Sequence, residues 1–187
     1  MQAPTENEFM YVNRKGYHSI NVQVVCNHEM KFINAVIRWP GATHNSRIFP
    51  NSELCATFER GEVDGHLIGD KGYALRSFLL TPYFNPNTPE QRRYNRIHAV
   101  TRSIIERTIG FWKRRFRCMQ EENPTSPQRI CSVNAATMVL HNISRDLKLP
   151  DIDEEINEQQ YQVEEVYNGP VAADGRIVRN MIAQALR

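Results

Sequence analysis

Two neighbouring stretches of alternating side chains constrain the fold most. In "YHSINVQVVC" (17–26), Ile20, Val22 and Val24 point one way and Asn21, Gln23 and Val25 the other, the period of a half-buried strand. After the polar turn Asn27-His28-Glu29, "KFINAVIRW" (31–39) reads as a second strand, which Pro40-Gly41 stops. So short a link joins antiparallel partners, and the pair is a hairpin.

A helical segment follows the hairpin. It is interrupted at Pro50, restarts with Asn51 or Ser52 as N-cap, and runs to about Arg60. In "GHLIGDKGYAL" (65–75), His66-Leu67-Ile68 reads as a buried strand ended by Gly69-Asp70-Lys71-Gly72-Tyr73. Asp70 there is open to two readings: ordinary turn chemistry, or a metal-binding carboxylate at the rim of a sheet. The proline-rich "TPYFNPNTPEQ" (81–91) is a loop, and a long helix over about 97–117 carries Ile97, Val100, Ile104 and Phe111 near one face. A second helix opens with Ser126 as cap and Pro127 in its first turn, then continues through Ile130, Val133, Leu140, Ile143 and Leu147. From Pro150 the chain turns acidic and poor in core residues, closing in "GRIVRNMIAQAL", which can form a short helix. The order of elements belongs to the α/β or α+β class. It divides the chain into a domain over 1–149 and an acidic, partly disordered extension over 150–187.

A length of 187 residues suits one domain plus an appendage, and 41% apolar with 24% charged residues is an ordinary globular composition. With a net charge of +2, only the distribution of charge can point to nucleic acid. The four cysteines are scattered, with no CxxC pair and no histidine at zinc-ligand spacing, which favours a reducing compartment over a disulfide framework or zinc site. No run approaches the roughly 18 apolar residues of a membrane span, and "MQAPTENEF" does not read as a signal peptide. The sequon Asn142-Ile143-Ser144 falls in a helix and is read as chance.

Charge gathers on the long helix. From 92 to 118 the bases are Arg92, Arg93, Arg96, Arg102, Arg107, Lys113, Arg114, Arg115 and Arg117, and Glu106 is the lone acid. Glu106 lies opposite the Ile97–Ile104–Phe111 stripe, so packing does not explain it. A single carboxylate in a basic field suits a divalent cation while Arg102, Arg107, Lys113, Arg114, Arg115 and Arg117 hold phosphates. The competing reading is an exposed glutamate paired with Arg102 or Arg107, worth little energetically. His98 is placed either to approach a phosphate or, as a helix-surface histidine, to serve structure. Phe111, Trp112 and Phe116 can stack on bases, but their helical spacing favours core. Lys113-Arg114-Arg115 is too short to stand as a nuclear signal.

The stretches "YVNRKGYHSINVQVVC", "WPGATHNSRIF", "LIGDKGY", "LLTPY", "YNRIHAVTRSIIERTIGFWKRRFRC" and "VLHNI" change the weighting. Together, over about residues 4–145, the chain resembles the DDE transposases of the PIF/Harbinger superfamily, in particular their harbinger-derived nuclease branch. The resemblance implies an RNase H-like mixed sheet flanked by helices and a carboxylate triad binding two divalent cations, Mg²⁺ or Mn²⁺. Asp70 in GDxGY matches the second Asp, and Glu106 in the IIERT segment matches the Glu. Two hard cations about 3.5–4 Å apart activate a water and stabilise the leaving oxygen of a phosphodiester. Such ions prefer oxygen ligands, so Asp and Glu are the right residue types.

The pattern also breaks. The family's first Asp belongs upstream of "YVNRK", and Glu6 and Glu8 do not match it. Asn45 replaces the family's acid after "WPGxxH", where it can serve as a neutral oxygen ligand or cap the next helix. The expectation is a fragment whose sheet lacks its first, central strand. Its activity would be a metal-dependent DNA endonuclease, weak or inactive for want of the first triad Asp. The alternative is a non-catalytic domesticated remnant that binds DNA or protein beside a Myb-like partner. On either reading the expected location is nucleus and cytoplasm. The oligomeric state stays open.

Overall fold

The computed structural model describes residues 1, 3–4, 6–120, 125–152 and 166–186, apart from the side chain of Asn45. In chain order the elements are α1 (Glu8–Tyr11), β1 (Ile20–Cys26), β2 (Phe32–Pro40), α2 (Asn45–Ile48), α3 (Glu53–Glu59), β3 (Leu67–Ile68), β4 (Leu79–Leu80), α4 (Pro89–Arg115), α5 (Pro127–Asp146) and α6 (Ala173–Ala185). The chain is therefore a mixed α/β protein. It forms two compact units: Met1–His44 with Ile104–Asn157, and Asn45–Ser103 with Glu158–Arg187. Among the described residues the strands make two separate sheets, antiparallel β1–β2 and parallel β3–β4, instead of a single mixed one. No described helix is long and apolar enough to cross a membrane.

In the first unit the expected hairpin is present, with Ile20 opposite Pro40 and Cys26 opposite Phe32, and with irregularities at Asn21/Gln23 and Val25/Cys26 that bend the pair. Its turn is fixed by Asn27, whose Oδ1 accepts from the N–H groups of Glu29 at 3.1 Å and Lys31 at 3.0 Å. Val22, Val24, Cys26 and Ile37 pack on a core of Phe32, Trp112 and Met138, where the Phe32 and Trp112 rings meet edge-on at 5.4 Å. Gln23, on the polar side of the alternation, is also buried.

Helix α5 begins as its sequence requires, with Pro127 in the first turn and Ser126 Oγ accepting from Arg129 N–H. Its packed side is the polar one. The buried positions are Asn134, Thr137, Met138, His141 and Ser144, while Val139, Leu140, Ile143 and Leu147 are 46–65% exposed. Hydrogen bonding explains the inversion. Asn142 donates Nδ2 to Phe32 O and accepts Phe32 N–H at Oδ1, both at 2.8 Å. His141 Nε2 donates to Met30 O at 2.9 Å, and Trp112 Nε1 donates to Thr137 Oγ1 at 3.1 Å. Unpaired strand backbone and an indole N–H need polar partners when buried, and one side of α5 supplies them.

In the second unit, Ser52 caps α3 by accepting from Cys55 N–H at 3.2 Å and donating to Phe49 O at 2.7 Å. Phe49, Cys55 and Leu79 form a cluster with Leu54, Leu67, Tyr73 and Phe78. Against it, β3 and β4 pair with Leu67 opposite Leu79 and Ile68 opposite Leu80. Two-residue β4 carries no periodicity and was not foreseen. Helix α4 starts at Pro89, well before 97, because Thr88 Oγ1 accepts Gln91 N–H and proline is tolerated in a first turn. Its packed face is also displaced from the predicted stripe. Tyr94, His98, Thr108 and Trp112 are buried, whereas Ile97 and Val100 face solvent. The terminal helix α6 is present. Ala183 packs with Tyr83 and Tyr94, Tyr83 Oη donates to Asn180 Oδ1 at 2.7 Å, and the Arg179 guanidinium lies 4.0 Å from the Tyr83 ring centre.

Candidate metal and nucleic-acid site

The β3–β4 pairing ends in the bond from Gly69 N–H to Leu80 O, 2.9 Å, and Asp70 is the next residue. There the chain turns. Asp70 Oδ1 accepts Gly72 N–H at 2.8 Å, and its carbonyl accepts Tyr73 N–H at 3.3 Å. This side-chain-to-backbone closure is the turn chemistry that Asp favours, and it engages one carboxylate oxygen of a half-buried side chain. Gly69 is closely packed: a Cβ there would lie 3.0 Å from Leu79 Cδ1 and 3.2 Å from Tyr73 Cδ2. The Tyr73 ring is thus seated over the residue preceding Asp70, with its edge to Phe49 at 6.0 Å between centroids.

Electrostatics ties this turn to α4. Burial pushes the Tyr73 phenol well above the usual tyrosine range, the charge of Asp70 adds to the rise, and Arg102 opposes it. Asp70 and Arg102 therefore both act on Tyr73 within the second unit. Tyr73 received no role from the sequence; the available signal was its place in GDKGY, three residues after Asp70. Glu106 follows Arg102 by one turn of α4, at a spacing that puts side chains on the same ridge. It is half-buried and belongs to the first unit, whereas Asp70 belongs to the second. Among the described residues, no three His, Cys, Asp or Glu side chains converge as a metal cluster. The two carboxylates remain suitable donors for a hard cation by oxygen chemistry.

The basic residues divide by what they touch. Arg107, Lys113 and Arg117 are exposed, while Arg102, Arg114 and Arg115 are half-buried. Arg114 lies 4.8 Å from the Phe111 ring centre, and Arg115 Nη2 donates to Pro150 O at 2.6 Å. Trp112 is core, as its spacing favoured. His98 corrects the helix-surface reading: it is 5% exposed, with Nε2 3.3 Å from Leu80 O and its ring 5.8 Å from that of Tyr94. Asn45 opens α2, and its side chain lies outside the described residues.

Over residues 1–142 the chain matches the family model described as DDE superfamily endonuclease. It is 40% identical over 150 residues to "Putative nuclease HARBI1" of Mus musculus, a match covering 78% of this chain and 43% of that protein. The protein of the same name from Homo sapiens is 37% identical over 148 residues, covering 77% and 42% respectively. "Protein ALP1-like" of Arabidopsis thaliana is 24% identical over 166 residues, covering 78% and 40%. The chain spans about two-fifths of the length of these curated relatives. No solved structure matches.

Proposed function

We infer the function from one premise: this chain belongs to the family of DDE superfamily endonucleases, and so to a transposase-derived nuclease family. On our reading it is a divalent-metal-dependent DNA endonuclease that hydrolyses phosphodiester bonds on an RNase H-like scaffold. Asp70 and Glu106 are the carboxylates that would hold Mg²⁺ or Mn²⁺. The observation carrying this reading is the setting of Asp70: a half-buried acid in the first turn beyond a parallel strand pair, oriented through Gly72 N–H.

A cation bound there supplies Lewis-acid stabilisation and an activated water. The chain's own part is to orient the two acids and to hold phosphate oxygens with Arg102, Arg107, Lys113, Arg114, Arg115 and Arg117. Two carboxylates leave most of a hard cation's shell to water and phosphate, so the expected activity is weak. Nicking of supercoiled plasmid with Mg²⁺ or Mn²⁺ tests the assignment. Asp70→Asn or Glu106→Gln should abolish nicking, and nicking that survives both substitutions overturns it.

The nine bases around a single acid over 92–118 favour a second reading, a non-catalytic DNA-binding remnant that works beside a Myb-like protein in nucleus and cytoplasm. That reading expects DNA binding that persists in chelator and weakens with salt.

A further inference from the structure

Three arginines from two helices gather within the first unit: Arg114 and Arg115 in the last turn of α4, and Arg145 in the last turn of α5. Helix dipoles favour a cation at each of these ends, but they do not bring the cations together. The Arg114 guanidinium lies 4.8 Å from the Phe111 ring centre, and that of Arg145 lies 5.7 Å from the same ring. Arg115 and Arg145 also turn to consecutive residues. Arg115 Nη2 donates to Pro150 O at 2.6 Å, and Arg145 Nη1 donates to Asp151 Oδ1 at 2.9 Å.

Charge in this cluster is one-sided. Among the described residues, Asp151 is the one acid bonded to any of the three guanidiniums. Asp146, next to Arg145 in the chain, is bonded to Lys31 Nζ at 2.6 Å. The basic run of α4 over 92–118 thus continues onto α5, through a residue that lies outside that run in the sequence.

We propose that Arg145 is a phosphate-binding residue for duplex DNA, and that Asp151 is its internal competitor, holding the guanidinium until a DNA phosphate takes the carboxylate's place. The proposal rests on the DNA-binding part of the reading above. Carboxylate and phosphate offer a guanidinium the same paired oxygens, so one can replace the other. The side chains of Arg145 and Asp151 are 25% and 35% exposed. A partly solvated pair contributes little, so the exchange meets small resistance. A duplex adds a row of phosphates and the release of its counterions, which a lone carboxylate does not match.

Anisotropy of a fluorescein-labelled DNA duplex, titrated with the 187-residue chain in chelator across a salt series, tests the proposal. Arg145→Gln should weaken binding about threefold and lower the slope of log K against log salt by about one. Arg145→Lys keeps the charge and should keep the slope. Asp151→Asn should tighten binding about two- to fivefold. That gain should exceed the gain from Asp64→Asn, an equal charge change at an exposed residue of the second unit. The excess should vanish once Arg145 is glutamine. An unchanged slope in Arg145→Gln, or an Asp151→Asn gain no larger than that of Asp64→Asn, overturns the proposal. Should Arg145→Gln fail to fold, the comparison of Asp151→Asn with Asp64→Asn decides alone. If Arg107→Gln lowers the slope and Arg145→Gln does not, only the Arg145 assignment falls; a chain that binds no DNA overturns both it and the DNA reading.

Discussion

Gly69 and Tyr73 show how little room surrounds the proposed ligand. Gly69→Ala brings its Cβ to 3.0 Å from Leu79 Cδ1 and 3.2 Å from Tyr73 Cδ2, so these side chains have to yield by a few tenths of an ångström. Near-ultraviolet circular dichroism should report the shifted Tyr73 ring, with the overall fold kept. His141 sets a pH dependence. Burial, the largest cause, holds its imidazole below the ordinary histidine range, only partly offset by the bond to Met30 O. The unfolded chain, titrating at about 6.5, then binds more protons than the folded one, so stability rises with pH in this window. The contribution is complete above about pH 6.5 and is lost as pH falls through the lower folded value. Thermal unfolding between about pH 5 and 7 should show this slope, and His141→Gln should flatten it. The Asp70 turn was legible because an acid between two glycines is ordinary turn chemistry. Tyr73 and His141 were not, because what they do depends on segments far along the chain.

At the scale of elements, α6 is held by a backbone-to-backbone approach. A Cβ on Gly175 would lie 2.8 Å from the carbonyl carbon of Arg76. Gly175→Ala should therefore loosen α6, seen as faster hydrogen exchange and earlier proteolysis over 173–185, with β1–β2 protection unchanged. The hairpin, the Ser52 and Ser126 caps and α6 could be read from the sequence because each rests on local periodicity or capping. The packed faces of α4 and α5 could not. In α4, Tyr94 and His98 displace Ile97 and Val100 from the interior because their polar atoms find partners there. Apolar spacing names a stripe; buried hydrogen-bond demand decided which stripe turned inward.

At the scale of the whole molecule, the α/β class was legible, whereas the separation into two interleaved units was not, since no composition break marks residue 44 or 103. Basic residues should act on DNA binding according to how they are held. Replacing exposed Arg107 and Arg117 with glutamine should reduce the slope of log K against log salt by about two. Replacing Arg114 and Arg115 should also lower stability, because Phe111 and Pro150 lose their contacts. Filter binding across a salt series, with parallel melting curves, separates the two effects. The clasp of Asn142 on Phe32 joins residues 110 positions apart. A slip of one residue in β2 would exchange Phe32 for Ile33 and reverse every side chain of the strand. The Asn27 turn sets that alignment locally, and the amide locks it from across the chain. The lock closes only after the ribosome has passed Asn142, which makes it a late event in folding.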